Sequence, residues 1–143
     1  VQTAWTNSFV DTQLAQEAAK AMIENGVDVI KHCANACGNG AIAAAVDADI
    51  WCQGDSYDQS SLAPENILDS AIYNLDVVID KAIESVVDDN FEGDVYNLGM
   101  ADGAEEVLLS DNLTDEVKAT AQDAIDKIVS GELEVEHDYT LRD

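Results

Sequence analysis

The sequence predicts an α/β fold built on a parallel, doubly wound sheet. Three observations predict it. Short apolar runs of strand length alternate along the chain with longer segments whose apolar residues recur at helical spacing. Glycines stand where helices should stop, at Gly26 and Gly131. The 143 residues, 47% of them hydrophobic, fit one compact domain with a core of its own. Aromatics make up only 6%, and alanine supplies much of the apolar count. Small side chains bury little area each, so the core should be modest for the length.

Val1 to Thr6 reads as a strand with Val1, Thr3 and Trp5 on one face, followed by a polar turn at Asn7 to Asp11. A helix is expected from Thr12 to Asn25, its stripe formed by Leu14, Ala18 and Met22 with Ala15 and Ile23 beside them. Val27 to Cys33 is a buried strand, Ala34 to Gly40 a loop of small residues, and Ala41 to Val46 a short helix. Asp49 to Gln53 is a further strand, leading into the polar loop Gly54 to Ser61 that Pro64 closes. Ile67 to Tyr73 is extended. Asn74 is placed to cap a helix from Leu75 to Val87 with Leu75, Val78, Ile79, Ala82 and Val86 on its apolar face. Val95 to Leu98 and Val107 to Leu109 read as strands. Thr114 is placed to cap the last helix, whose stripe is Val117, Ala121, Ala124, Ile125 and Ile128. Residues 132–143 form a polar tail.

Thirty acidic residues face six basic ones, a formal net charge of −24. Nucleic acid is excluded as a natural partner, because phosphate binding needs a basic surface. The acids are spread along the chain and interleaved with apolar runs, so they are not a disordered acidic tail. Self-repulsion of this size is tolerable where salt screens it, which points to a halophilic source. No signal peptide, lipid-attachment cysteine or membrane-spanning run is present. The first residue is Val1, inside a strand-like segment, so the chain is expected to be an excised piece of a longer protein. Cys33, Cys37 and Cys52 make neither a disulfide framework nor a zinc site. A Cys33–Cys37 bridge is conceivable in an oxidising exterior; three small half-buried side chains are the preferred reading.

In parallel sheets, ligands sit at the carboxyl ends of strands. Three loops are therefore candidates: Asn7 to Asp11, Ala34 to Gly40 and Gly54 to Ser61. They offer Trp5, Asn7, Phe9, Asn35, Asp55 and Asp58, with His32, Asn39, Tyr57 and Gln59 nearby. Flat aromatics with carboxylates and amides suit a flat ring bearing hydroxyls, such as a nucleoside. The bland alternatives are that Trp5 and Phe9 are core, His32 is structural, and Asp55 and Asp58 are solvated loop charges. Enzyme templates fit poorly. The two histidines are His32 and His137, His137 lies in the tail, and adjacent His32 and Cys33 on a strand point to opposite faces. Neither a Walker motif nor G-x-G-x-x-G is present, no metal site is expected, and no cofactor is implied.

These loops also carry a resemblance. Trp5-Thr6-Asn7-Ser8-Phe9-Val10-Asp11, then Glu17-Ala18-Ala19 and Gly26-Val27-Asp28-Val29-Ile30, resemble the basic membrane protein (BMP) family of substrate-binding lipoproteins. Gln53-Gly54-Asp55-Ser56 through Asp58-Gln59-Ser60 and Leu62-Ala63-Pro64 are similar to that family's G-x-D-x-D-(Q/M)-S…A-P loop. Leu68-Asp69-Ser70-Ala71 and Ile128-Val129-Ser130-Gly131-Glu132 match as well. The resemblance implies a type I periplasmic-binding-protein fold of two lobes that holds purine nucleosides or related purines in the cleft. Residues 1–131 would be the C-terminal lobe, with the N-terminal lobe absent. Phe9 with Trp5 would supply aromatic wall, the segment around Asn35 would line the base, and Asp55 would hold the sugar hydroxyls, or Asp58 if the loop is read with its extra residue. Three departures stand out. Ala34-Asn35-Ala36-Cys37-Gly38 replaces a glycine-rich loop, the Asp loop is one residue longer, and Tyr73 stands where many members have a lysine, so that lysine contact is lost.

The resulting expectation is a non-enzymatic, extracytoplasmic solute-binding component of an ABC importer. Its partners would be a purine nucleoside and a transporter permease, with a membrane anchor outside this chain. A lone lobe would also be prone to self-association. The alternatives are a sugar or other small-solute binder of the same fold, or, from a different class, an α/β hydrolase or signalling domain.

Overall fold

The computed structural model describes residues 1–93 and 95–135. In chain order its elements are α1 (Thr12–Glu24), β1 (Val29–Lys31), α2 (Gly38–Asp47), β2 (Trp51–Gly54), β3 (Ile67–Tyr73), α3 (Leu75–Val87), β4 (Glu105–Leu109) and α4 (Asp115–Ser130), with 3₁₀ turns at Asn35–Cys37, Ser60–Leu62 and Met100–Asp102. They fall into two compact units, Val1–Tyr73 with Glu106–Thr114, and Asn74–Glu105 with the chain from Asp115 on.

The first unit holds the core. Asp11 caps α1 by accepting from the backbone N–H groups of Gln13 and Leu14, and Asn25 ends it, with Gly26 at φ 86° turning the chain into β1. The buried stripe of α1 is Ala15 and Ala19, with Met22 and Ile23 packed against the core; Leu14, expected inside, is exposed. The shift by one residue follows from how closely α2 approaches. A Cβ on Gly40 would stand 1.8 Å from the Thr12 carbonyl oxygen, so only alanine-sized side chains fit between the two helices. α2 starts at Gly38, earlier than the sequence suggests, and buries Ala41, Ile42, Ala44 and Ala45.

The sheet order is β1-β2-β3-β4. β1 and β2 pair in parallel with Ile30 beside Cys52, and β2 and β3 in parallel with a register shift between Cys52 and Gln53. At the far edge Ser110 N–H bonds Leu68 O and Asn74 N–H bonds Ala104 O, so β4 runs opposite to β3 and the sheet is mixed, mostly parallel. Ile30, Cys52 and Ile67 place one face of the three parallel strands on the α1–α2 layer. Val1 to Thr6 is not a strand. Its segment finds no partner in the sheet, and Thr6 turns its hydroxyl to the Ser8 carbonyl instead.

In the second unit, α3 has the expected bounds, but Asn74 does not cap it; the amide donates to Gly103 O at 2.9 Å. The expected stripe of α4 is half-buried at Ala121, Ala124, Ile125 and Ile128, and exposed at Val117. Val95 to Leu98 does not form the expected strand. Most of the polar tail, with His137, lies outside the described residues.

Candidate functional site at the carboxyl edge of the sheet

Parallel pairing brings the last residues of three strands, Lys31, Gly54 and Tyr73, to one edge. The connections that leave this edge are tied together. Cys37 N–H donates to Phe9 O at 3.0 Å and the Cys37 thiol to Asp11 O at 2.8 Å, which holds the Asn7–Asp11 turn against the 3₁₀ turn after β1. From β2 to β3 the chain makes its parallel return through residues 55–66 without an α-helix. Such a return normally carries a helix, so this irregular stretch is where a site has room to form.

Asp55, the first residue after β2, is only 5% exposed. Its carboxylate accepts from Ser56 Oγ at 2.9 Å through Oδ2 and from Tyr73 Oη at 3.3 Å through Oδ1. Lys31 Nζ stands 3.8 Å from the same Oδ1 and donates to Gly54 O at 2.9 Å. A buried carboxylate is costly unless paired and hydrogen-bonded; Lys31 and Tyr73 reach it from the ends of the neighbouring strands, and Ser56 follows it in the loop. Lys31, which the sequence reading did not single out, thus joins Tyr73 at the Asp55 carboxylate. Its signal was hidden because a lysine at the end of a short strand reads as an ordinary edge charge.

Behind Asp55 lies a buried amide network. Gln59, 1% exposed, accepts through Oε1 from Asp55 N–H at 2.9 Å and pairs with His32 Nε2 at 2.8 Å. A backbone N–H can only donate, so the atom it meets is the amide oxygen, and His32 Nε2 must carry the proton. Gln59 Nε2 donates to Asn39 Oδ1 at 3.3 Å, and Gln59 N–H to Ser70 Oγ at 3.2 Å. His32 Nδ1 is buried without a hydrogen-bond partner among the described residues, packed where a Cβ on Gly38 would stand 2.0 Å away. His32 is therefore a structural histidine that requires glycine at 38, and Gln59 ties the stretch from β1 to α2 to the β2–β3 return and to β3.

The remaining sequence-predicted residues separate. Trp5 and Phe9 are not core: they are 84% and 73% exposed. Asn7 and Asn35 are exposed and left-handed, at φ 51° and 50°, as is Ser56 at 71°, so each of the three loops has one residue in that sparsely used region. Asp58 is exposed and points elsewhere than Asp55. It accepts from Ser60 N–H at 2.9 Å, and bonds from the Ser60 side chain and backbone hold its carboxyl below the ordinary range. Asp58 also lines a groove of about 440 Å³ with Ser60, Ser61, Pro64, Ser110 and Asn112. The structure brings Asp55 and Tyr73 into contact; no hydrogen bond joins them to Trp5, Asn7 or Asn35 among the described residues. All three cysteines are free, Cys33 exposed and Cys37 and Cys52 buried, so Cys33 and Cys37 are not bridged. Among the described residues no cluster is arranged to hold a metal ion, and no helix is long and apolar enough to cross a membrane.

Residues 1–138 match the family described as Bmp, ABC transporter substrate-binding protein, PnrA-like. A purine-binding protein of Brucella abortus is 31% identical over 134 residues, covering 93% of this chain and 37% of that protein. A Haloferax volcanii protein described as a candidate glucose-binding protein of an ABC transporter is 31% identical over 134 residues, covering 92% of this chain and 33% of its own length. Among solved structures, an ABC transporter solute-binding protein of Aeropyrum pernix superposes with a TM-score of 0.78 at 20% identity, over 96% of this chain and 48% of that one. The chain spans about a third of these curated relatives and about half of the solved structure.

Proposed function

The chain belongs to the PnrA-like family of ABC transporter substrate-binding proteins, and on that premise we propose that the carboxyl edge of its sheet binds a purine nucleoside for import. One observation carries the reading: a carboxylate, Asp55, held at the meeting point of three parallel strand ends by Lys31, Ser56 and Tyr73. Vicinal ribose hydroxyls are donors that such a carboxylate accepts well. The exposed rings of Trp5 and Phe9 and the amide of Asn35 supply stacking and edge-reading groups on the adjoining turns. The role is binding and not catalysis, because His32 is committed to Gln59 and serves the fold.

In this reading the chain forms one wall of a two-lobed binder, since it spans about half of a solved solute-binding protein. The whole protein works outside the cytoplasm, anchored to the membrane beyond this chain, and delivers its solute to a permease. The acid-rich surface suits a high-salt setting. A sugar is the second candidate, favoured by the name of the Haloferax volcanii relative, because the Asp55 cluster accepts sugar hydroxyls equally well.

NMR titration with inosine, guanosine, adenosine and glucose separates the two. Nucleosides should bind more tightly than glucose, and Asp55→Ala should weaken nucleoside binding by roughly tenfold or more, the loss of charge-assisted bonds worth about 1.5–3 kcal/mol. Glucose binding best would favour the sugar. Loss of binding in Asp58→Ala with Asp55→Ala unaffected would move the contact to the groove.

A further inference from the structure

We propose that Lys31 sets the ligand class of the Asp55 subsite, by neutralising and positioning the carboxylate so that it takes uncharged hydroxyl donors and discriminates against cationic ones. The inference rests on the nucleoside reading above and deepens it.

An isolated carboxylate in a chain of net charge −24 should attract ammonium groups before hydroxyls. Asp55 is not isolated. Lys31 Nζ lies 3.8 Å from Oδ1, and the same ammonium is fixed by its 2.9 Å bond to Gly54 O, the carbonyl directly preceding Asp55. The lysine therefore holds both the peptide carbonyl before Asp55 and the Asp55 charge. The carboxylate is almost wholly buried while the lysine side chain is 42% exposed, so the cation is the more accessible member of the pair. A ligand group bonded to Oδ1 of Asp55 comes within the field of the Lys31 ammonium, 3.8 Å from that atom. A neutral hydroxyl can replace the 3.3 Å Tyr73 bond, the longer of the two hydrogen bonds that the carboxylate accepts, without disturbing the ion pair. A ligand ammonium must either approach Lys31 against like-charge repulsion or displace it. No other lysine or arginine is ion-paired to Asp55 among the described residues, so the effect belongs to Lys31 alone.

The test compares adenosine with 3′-amino-3′-deoxyadenosine, by NMR titration of wild type, Lys31→Met and Lys31→Arg at a pH where the amine is protonated. Wild type and Lys31→Arg should prefer adenosine. In Lys31→Met the ratio of the two affinities should move toward the amino compound by roughly fivefold or more, the scale of a partly screened charge pair. A general loss of folding or packing lowers both affinities together and leaves the ratio alone, so an unchanged ratio in Lys31→Met overturns the proposal. If wild type binds neither compound, the nucleoside reading falls, and the Lys31 assignment is decided by a crystal structure of Lys31→Met. An Asp55 carboxylate turned away from Tyr73 supports the positioning role, and one left in place refutes it.

Discussion

Burial divides the three cysteines. Cys33 is exposed, whereas Cys37 and Cys52 have no accessible surface. Burial pushes the Cys52 thiol up to about 11, since the thiolate would lose its hydration in the α1–α2 core layer. In the native protein near neutral pH a thiol reagent should therefore label Cys33 fast and the other two only on unfolding, as peptide mass mapping would show. The raised value also has a consequence for stability. The folded state holds the Cys52 proton more tightly than the unfolded chain, so its contribution is complete below the unfolded value near 9.0 and is lost as pH rises toward 11. Urea midpoints from pH 8 to 11 should fall more steeply for wild type than for Cys52→Ala; equal slopes would refute the burial of this thiol. At this scale Asp55 was legible, because a polar loop after a strand makes its carboxylate conspicuous. Lys31 was not, because its partner comes from the next strand and nothing local in the sequence announces the pairing.

The proposed site rests on the return from β2 to β3, residues 55–66, which carries no α-helix and depends on side chains for its shape. Gln59 does most of this, bonding His32, Asn39 and the Asp55 backbone while its own N–H reaches Ser70. Replacing Gln59 with Met keeps the volume but strands two buried donors, His32 Nε2–H and Asp55 N–H. The cost should be on the order of 2–6 kcal/mol, at about 1–3 for each of the two unsatisfied groups. Urea unfolding measures it, and a loss below about 0.5 kcal/mol would mean that the network is not as described. α1, α3 and α4 were readable from period and stop signals within a residue or two. The strands were less so: Val1–Thr6 and Val95–Leu98 have strand composition but do not form strands, because strand formation depends on pairing, a non-local property. The stripe of α1 was misplaced by one residue because the closeness of α2, set by Gly40, is likewise invisible from one helix alone.

Across the whole molecule the dominant quantity is charge. Thirty acidic residues against six basic ones leave most carboxylates without a cation, and two of the ion pairs, Lys20–Asp47 and Lys127–Asp123, are on exposed surface where each is worth little. The Debye length falls from about 10 Å at 0.1 M salt to about 3 Å at 1 M, so repulsion among the acids should be screened and the melting temperature should rise strongly across that range. A melting temperature that ignores salt would contradict the high-salt reading. The α/β class and the three candidate loops were both legible in the sequence, since alternating elements and post-strand polar loops are local patterns. Their assembly was not, because it depends on buried bonds between loops distant in sequence, such as Gln59 to His32 and Cys37 to Asp11. The central claim, that the carboxyl edge around Asp55 receives a purine nucleoside, is tested most directly by following backbone amide resonances of the isotope-labelled chain during an inosine titration. The largest shifts are expected at Lys31, Asp55, Ser56 and Tyr73 and on the turns carrying Phe9 and Asn35. Shifts confined to the groove of Ser60, Ser110 and Asn112 would contradict it.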